Sequence, residues 1–455
     1  MLGIAAAVVL TSFLSPAPAA ASSGPPRSAA TARPVADVTP PGPPPISTDP
    51  PPGRRPDAAP GLRRPRACTP PAPDEPAAGT PDAGTERMQL TAVHRLATGS
   101  GQVIAVIDTG VHPDARFGTR LRGGGDYLTG GDGLEDCDGH GTAVAGILAA
   151  ASAPGSRAAG GFVGMAPAAQ LLAIRQSSPS FEVPGPGGGT PRPAGDVATL
   201  ADAIVLAVRE GAGVINISEA VCLPAGQAAE QGRSIQAALR YATRSDVVVV
   251  AAAGNAGVGS CAATGQDAGD QVSLPGWYGD DILAVGAVGP DDAPASFTVP
   301  GPWVDVAAPG TGLRSLAVAG GTTGTGVEGT SFAAPWVAGL AALVRERYPE
   351  LTAAQVADRI LATARRAPGG RDDALGYGLI DPVAALTAVP VVVAPVTPGS
   401  RARTAELPVG APVPAAEAGS VDLVAAAGLL AAGGATAWLL RRRPTRRTQD
   451  GRLPA

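Results

Sequence analysis

The sequence predicts an α/β fold built on a mostly parallel central sheet. Strand-like and helical patterns alternate between Arg87 and Val389, the mark of strands joined through crossover helices. The strand-like runs are continuously apolar, whereas a strand with one wet face would alternate polar and apolar residues, so helices are expected on both faces. The stretch of roughly 300 residues is near the upper size of a single core.

The elements follow in order. Strands are expected at Val103 to Ile107, Leu171 to Ile174, Val214 to Ile217, Val247 to Ala252 and Ile282 to Val288. Helical periodicity marks Thr142 to Ala151, Val197 to Glu210, Arg233 to Arg244 and Phe332 to Tyr348. Hydrophobic residues make up 45% of the chain but aromatics only 3%, so the core must rest on Ala, Val, Leu and Ile. No internal repeat interrupts the pattern.

Outside this region the composition changes. The 455 residues include 62 Gly and 48 Pro, about twice the average share, so long loops and linkers are required. Leu2 to Leu14 is an uncharged apolar run followed by Ala17, Ala19 and Ala21, the shape of an export signal over residues 1–21, although no basic residue precedes it. Residues 22–86 form a Pro-rich extension that cannot bury enough to fold alone, with Cys68 its one informative residue. Residues 390–422 read as a Pro/Ala-rich tether. Leu423 to Leu440 is uncharged, and at about 1.5 Å per residue it just spans a hydrocarbon core. Arg441, Arg442, Arg443, Arg446 and Arg447 follow, which puts residues 441–455 in the cytoplasm and the domain at 87–389 outside the cell membrane. Every basic residue is Arg, and a net charge of -5 leaves no nucleic-acid surface as the organising theme.

Only three His occur, so the search for a general base is short. His94 lies in an amphipathic stretch and His112 precedes Pro113. His140, flanked by Gly139 and Gly141, sits at a turn leading into an apolar helix, where other groups can approach it. Asp108 ends the first strand, at the sheet edge where catalytic groups of open α/β sheets gather. Ser331 opens the last long helix, where backbone N–H groups and the dipole favour developing negative charge. Asn255 follows Gly254 after a buried strand, placed to donate to an oxyanion. Singly, each is most often a cap or turn residue; in this order, each at a strand end or helix start, they read as one catalytic set.

With these residues the chain resembles the subtilisin-like serine proteases, whose triad runs Asp, His, Ser. The matching blocks are Val106 to Gly110 (VIDTG), His140 to Gly146 (HGTAVAG), Ala251 to Gly257 (AAAGNAG) and Gly329 to Pro335 (GTSFAAP). Val214 to Ser218 (VINIS) and Val304 to Gly310 (VDVAAPG) are lesser matches. The exported N-terminus, Cys-bearing extension and C-terminal span narrow the resemblance to the mycosins, membrane-anchored proteases of actinobacterial type VII secretion systems. The Pro/Gly-rich stretch Ser178 to Gly195 departs from the pattern and its role is not legible.

The resemblance implies a subtilisin-like three-layer fold and a polypeptide substrate. Ser331 would attack the scissile carbonyl, with His140 as general base and acid, Asp108 fixing the imidazole tautomer, and Asn255 with the Ser331 N–H holding the oxyanion. Ser218, Glu219 and Gly254 would bind substrate, laid along Val214 to Ser218 as an added strand, and Glu219 would favour a basic or small residue. The expected partner is the type VII secretion membrane complex; the alternative role is a structural subunit of it, with proteolysis secondary. No metal or other cofactor is expected, since the Asp-rich turns at Asp132 to Asp138 and Asp291 to Asp292 lack an ordered ligand spacing.

Four Cys in an exported chain allow three pairings. Cys222 and Cys261 follow strands expected to be parallel neighbours, which places both on one rim within bonding reach. That pairing leaves Cys68 for Cys137, and the resemblance implies a comparable tether of the extension beside the active site.

Overall fold

The computed structural model describes residues 40–46, 53–65, 67–68, 73, 83–152, 162–262, 269–324, 326–366 and 369–389. Short helices α1 (Ala83–Arg87) and α2 (Leu90–Val93) lead into β1 (Val103–Asp108), β2 (Leu121–Asp126), α3 (His140–Ala149) and β3 (Gln170–Arg175). Two short strands, β4 (Ser178–Val183) and β5 (Arg192–Ala194), precede α4 (Val197–Arg209), β6 (Val214–Ile217) and β7 (Val221–Pro224). Next come α5 (Ala225–Gln231), α6 (Arg233–Arg244), β8 (Val248–Ala252), β9 (Gln271–Leu274), β10 (Leu283–Val288) and β11 (Val304–Pro309). Helices α7 (Thr330–Arg347), α8 (Ala353–Thr363) and α9 (Pro382–Thr387) follow.

The central sheet has the order β11-β10-β8-β6-β1-β3-β2, and every pairing in it is parallel. Its apolar strands serve two cores at once. In β1, Ile104 and Val106 face the core containing α3 and α7, while Ala105 and Ile107 face the core containing α4 and α6. Burial of alternate residues on opposite sides is why β1 carries no polar alternation until Asp108. All five expected strands are present. The sequence pattern missed β2, whose Leu-Arg-Gly-Gly-Gly-Asp sequence has little strand propensity; it is an edge strand held by β3.

Register aligns the carboxyl ends of the middle strands. Asp108 pairs with Arg175 at the end of β3, Ile107 with Ile217 at the end of β6, and Ile217 with Ala251 near the end of β8. Residues just beyond these ends therefore share one rim, which is where the site lies.

The described parts of the Pro-rich extension find partners on the domain. Trp277 Nε1 donates to the Pro41 carbonyl at 2.9 Å and Gln236 Nε2 to the Pro44 carbonyl at 2.8 Å. Arg54 pairs with Asp202 at 2.8 Å, Ala58 bridges Thr129, and Arg63 bridges Glu182. Cys68 is bonded to Cys137 and Cys222 to Cys261, with Cα separations of 4.8 and 4.7 Å. Among the described residues no helix is long and apolar enough to cross a membrane; the expected signal at 1–21 and span at 423–440 lie outside them.

Candidate active site

Asp108 is fully buried, and its Oδ1 accepts two hydrogen bonds: one from its neighbour's N–H, at Thr109, and one from His140 Nδ1, each at 2.7 Å. The second contact fixes the imidazole tautomer and leaves Nε2 to accept a proton. His140 keeps 30% of its side-chain surface exposed, so the ring opens on the rim. Burial opposes its charged form, but the Asp108 carboxylate and its hydrogen bond, with Glu219 and Asp136 beyond, outweigh that and raise its pKa to about 9. The other two His differ. His94 Nε2 faces the Met165 carbonyl at 3.0 Å, and burial lowers its proton affinity; the His112 N–H donates to Thr142 Oγ1.

The turn before His140 is organised by Asp136, a buried residue that the sequence pattern did not single out. Its Oδ2 accepts from the Thr142 N–H at 2.8 Å and hydroxyl at 2.6 Å, and its Oδ1 from Thr109 Oγ1 at 2.9 Å and the Gly139 N–H at 2.8 Å. Thr109 Oγ1 in turn accepts from the Gly141 N–H at 3.0 Å. One carboxylate thus ties the end of β1 to the start of α3. Gly141 is required here, since a Cβ would stand 2.0 Å from the Gly110 carbonyl oxygen.

Ser331 occupies the first turn of α7 and is buried, as is Thr330 before it. Pro335 lies four residues further along the helix and has no N–H, so the Ser331 carbonyl loses its helical donor. The Ser218 hydroxyl replaces it at 2.8 Å, and Asn216 Nδ2 donates to Ser218 Oγ, also at 2.8 Å. Ser218 is buried and its side chain faces α7, not the open rim. Asn255 Oδ1 accepts from the Thr330 N–H at 3.0 Å and hydroxyl at 2.9 Å, which leaves Nδ2 as the donor end of the amide, with no hydrogen-bond partner among the described residues.

Gly329 precedes the helix with φ 145°, and a Cβ there would stand 3.0 Å from Ser331 Oγ and 3.2 Å from Asn255 Nδ2. The hydroxyl and the amide donor therefore flank the same point, where a side chain would block both. Phe332, the next residue, stacks at a tilt on His140 with ring centroids 5.0 Å apart, which brings α7 against the imidazole.

The remaining expected substrate residues lie on the same rim. The Gly254 N–H donates to Thr330 Oγ1 at 3.2 Å and its carbonyl accepts from the Val299 N–H at 3.0 Å. Glu219 accepts the Ser177 hydroxyl. Burial first, then the nearby Asp108 and Asp138 charges, raise its pKa to about 8, with His140 opposing. Cys137, in its bond to Cys68, lies on the turn carrying Asp136 and His140.

A parallel sheet whose carboxyl rim carries a buried carboxylate bonded to an imidazole, with a helix opening on a Ser nearby, is the architecture of an α/β hydrolytic enzyme. A sequence profile of the subtilase family matches residues 99–378, and the chain belongs to that family. Mycosins are among its relatives there: it is 40% identical to mycosin-3 of Mycobacterium tuberculosis over 408 residues, covering 81% of this chain and 86% of that one. The solved structure of the MycP3 protease from the type VII (ESX-3) secretion system superposes with a TM-score of 0.67 at 40% identity, covering 76% of this chain and 100% of that one. A chain in the structure of an intact ESX-5 inner membrane complex superposes with a TM-score of 0.69 at 34% identity, covering 88% and 98%.

Proposed function

We propose that the chain is a membrane-anchored serine endopeptidase of a type VII secretion system, with Ser331 as nucleophile. The observation that carries this reading is the 2.7 Å contact between His140 Nδ1 and the buried Asp108 carboxylate, beside a helix that presents Ser331 at its first turn. His140 Nε2 takes the Ser331 hydroxyl proton as Oγ attacks the scissile carbonyl, then passes it to the leaving amine. Asp108 stabilises the imidazolium without being protonated. Asn255 Nδ2 and the Ser331 N–H donate to the tetrahedral oxyanion. Substrate lies beside Val214 to Ser218, with Gly254 across from it; Ser218 contributes backbone, since its hydroxyl holds the Ser331 carbonyl. No metal or cofactor enters these steps.

The proposed setting is the outer face of the cell membrane. Residues 1–21 direct export, 22–86 form the extension, 87–389 the peptidase domain, 390–422 the tether, 423–440 the membrane helix and 441–455 the cytoplasmic tail. The chain's similarity to a component of an ESX-5 inner membrane complex supports this placement, and also supports a second role as a structural subunit of such a complex. Complementation of a deletion strain separates the two. If secretion fails in the deletion strain and returns with wild type but not with Ser331→Ala, catalysis is required; return with both makes the structural role the necessary one. Absence of peptide cleavage by purified, folded wild type would overturn the enzymatic reading.

A further inference from the structure

The Ser178 to Gly195 stretch packs with two other segments around a small core of its own. Strands β4 and β5 pair antiparallel. Phe181 and Ala194 of this hairpin are buried with Leu128 and Cys137, and Leu62 of the extension and Val183 pack against them. None of these residues belongs to the two cores that flank the central sheet.

The same segments also close on one another around that core. The extension joins the hairpin through a pair of backbone bonds between Arg63 and Glu182, each at 2.8 Å, and joins the turn before His140 through the Cys68–Cys137 bond. The turn joins the hairpin through Asp138, whose carboxylate accepts from the Ser178 and Ser180 hydroxyls and, at 3.2 Å, from the Ser180 N–H. Extension, hairpin and turn therefore form a closed ring, and Asp138, two residues before His140, is the link nearest the proposed base.

The other supports of His140 come from β1 and α3. Asp108 holds Nδ1, and Asp136, tied to Thr109 and Thr142, holds the Asp138 and Gly139 N–H groups. Gly139, with φ 79°, lies between Asp138 and His140 and has no side chain to brace the turn on its outer side. That support comes from Asp138 alone.

We propose that Asp138 is a positioning residue for His140, clamped by the Ser178 and Ser180 hydroxyls, and that the β4–β5 hairpin serves the reaction by carrying this clamp. The inference rests on the proteolytic reading above and deepens it. Without its donors the half-buried Asp138 carboxylate would turn to water, and Gly139 would pass that movement on to His140. His140 keeps 30% of its side-chain surface exposed, so its ring has room to follow. The loss falls on proton transfer between Ser331 and His140, which tolerates misplacement poorly, and not on the strand proposed to bind substrate.

The test compares Asp138→Ala, Asp138→Asn and the double variant Ser178→Ala/Ser180→Ala in the full-length protein, with a quenched peptide that wild type cleaves. Asp138→Ala and the double variant should each lose roughly 10²-fold in kcat with little change in KM. Fluorophosphonate labelling of Ser331 should slow in parallel. Asp138→Asn should recover most of the rate, because its amide oxygen still accepts from Ser180 and its amide nitrogen can donate to Ser178 Oγ. The double variant removes the clamp while keeping the Asp138 charge, so it carries the test if Asp138→Ala does not fold. An undiminished kcat in the double variant, a kcat loss no larger than the unfolded fraction measured in the same preparations, or an Asp138→Asn variant as impaired as Asp138→Ala would overturn the proposal. Wild type that is labelled and cleaves, beside variants that do so equally well, defeats the clamp alone; folded wild type that is unlabelled and cleaves nothing defeats both readings.

Discussion

The two turns that build the site are held by opposite means. The turn carrying His140 is fixed by side chains: Asp136 gathers Thr109, Gly139 and Thr142, and Asp108 holds the imidazole. The turn carrying Ser331, where the Asn255 amide holds Thr330, depends also on what the backbone lacks. Gly329 has no Cβ, Pro335 has no N–H, and the carbonyl that Pro335 frees is satisfied by Ser218 from a neighbouring strand end. In the proposed mechanism the base must keep a defined orientation and proton affinity, which carboxylates provide, while the hydroxyl and the proposed oxyanion donor need open space, which glycine provides.

The comparison is broken most severely at Asp108. Asp108→Asn should cut kcat by about 10⁴-fold, because the amide favours the wrong imidazole tautomer. The pH profile carries a sign. As the proposed general base His140 must be neutral to act, and its pKa is raised to about 9, with burial opposed and outweighed chiefly by Asp108. Wild-type kcat/KM should therefore climb as pH rises through neutrality towards about 9. In Asp108→Asn the main raising influence is gone, so the residual activity should begin its climb at lower pH. An acid limb that stays in place would show that another group sets it.

On the Ser331 side, Asn255→Ala should lower kcat by roughly 10²- to 10³-fold with little change in KM, since the donor is used most in the transition state. A raised KM at unchanged kcat would assign Asn255 to ground-state binding. The smallest effects sharpen the contrast between the turns. Asp136→Ala strands several buried donors and should cost about 3 kcal/mol in denaturant unfolding while also displacing His140. Ser218→Ala strands the Ser331 carbonyl and the Asn216 Nδ2 donor and should cost about 2 kcal/mol. Equal losses would mean that the turns are not held as differently as their contacts indicate.

Much of this was legible in the sequence because the chemistry imposes residue types at element ends. Asp108 at a strand end, His140 between glycines and Ser331 before a long apolar helix are readable from pattern alone. Asp136 was not, because its partners are donors spread over Thr109, Gly139 and Thr142, and an Asp in an Asp-rich turn gives no sign of which donors it will meet. The inward turn of Ser218 is implied by Pro335, which leaves a carbonyl needing a donor, but nothing local names the donor. The β4–β5 hairpin was hidden by its Pro and Gly content and because two of its hydrogen-bond partners, Asp138 and Arg63, lie far away in sequence.

Ser331 as an activated nucleophile is tested most directly by treating the full-length protein with a fluorophosphonate and mapping the adduct by mass spectrometry. The adduct should fall on Ser331, be absent from Ser331→Ala, and form far more slowly in His140→Ala, whose fold should persist because the His140 ring is partly exposed. An adduct on another residue, labelling that survives in Ser331→Ala, or an undiminished rate in His140→Ala would contradict the assignment.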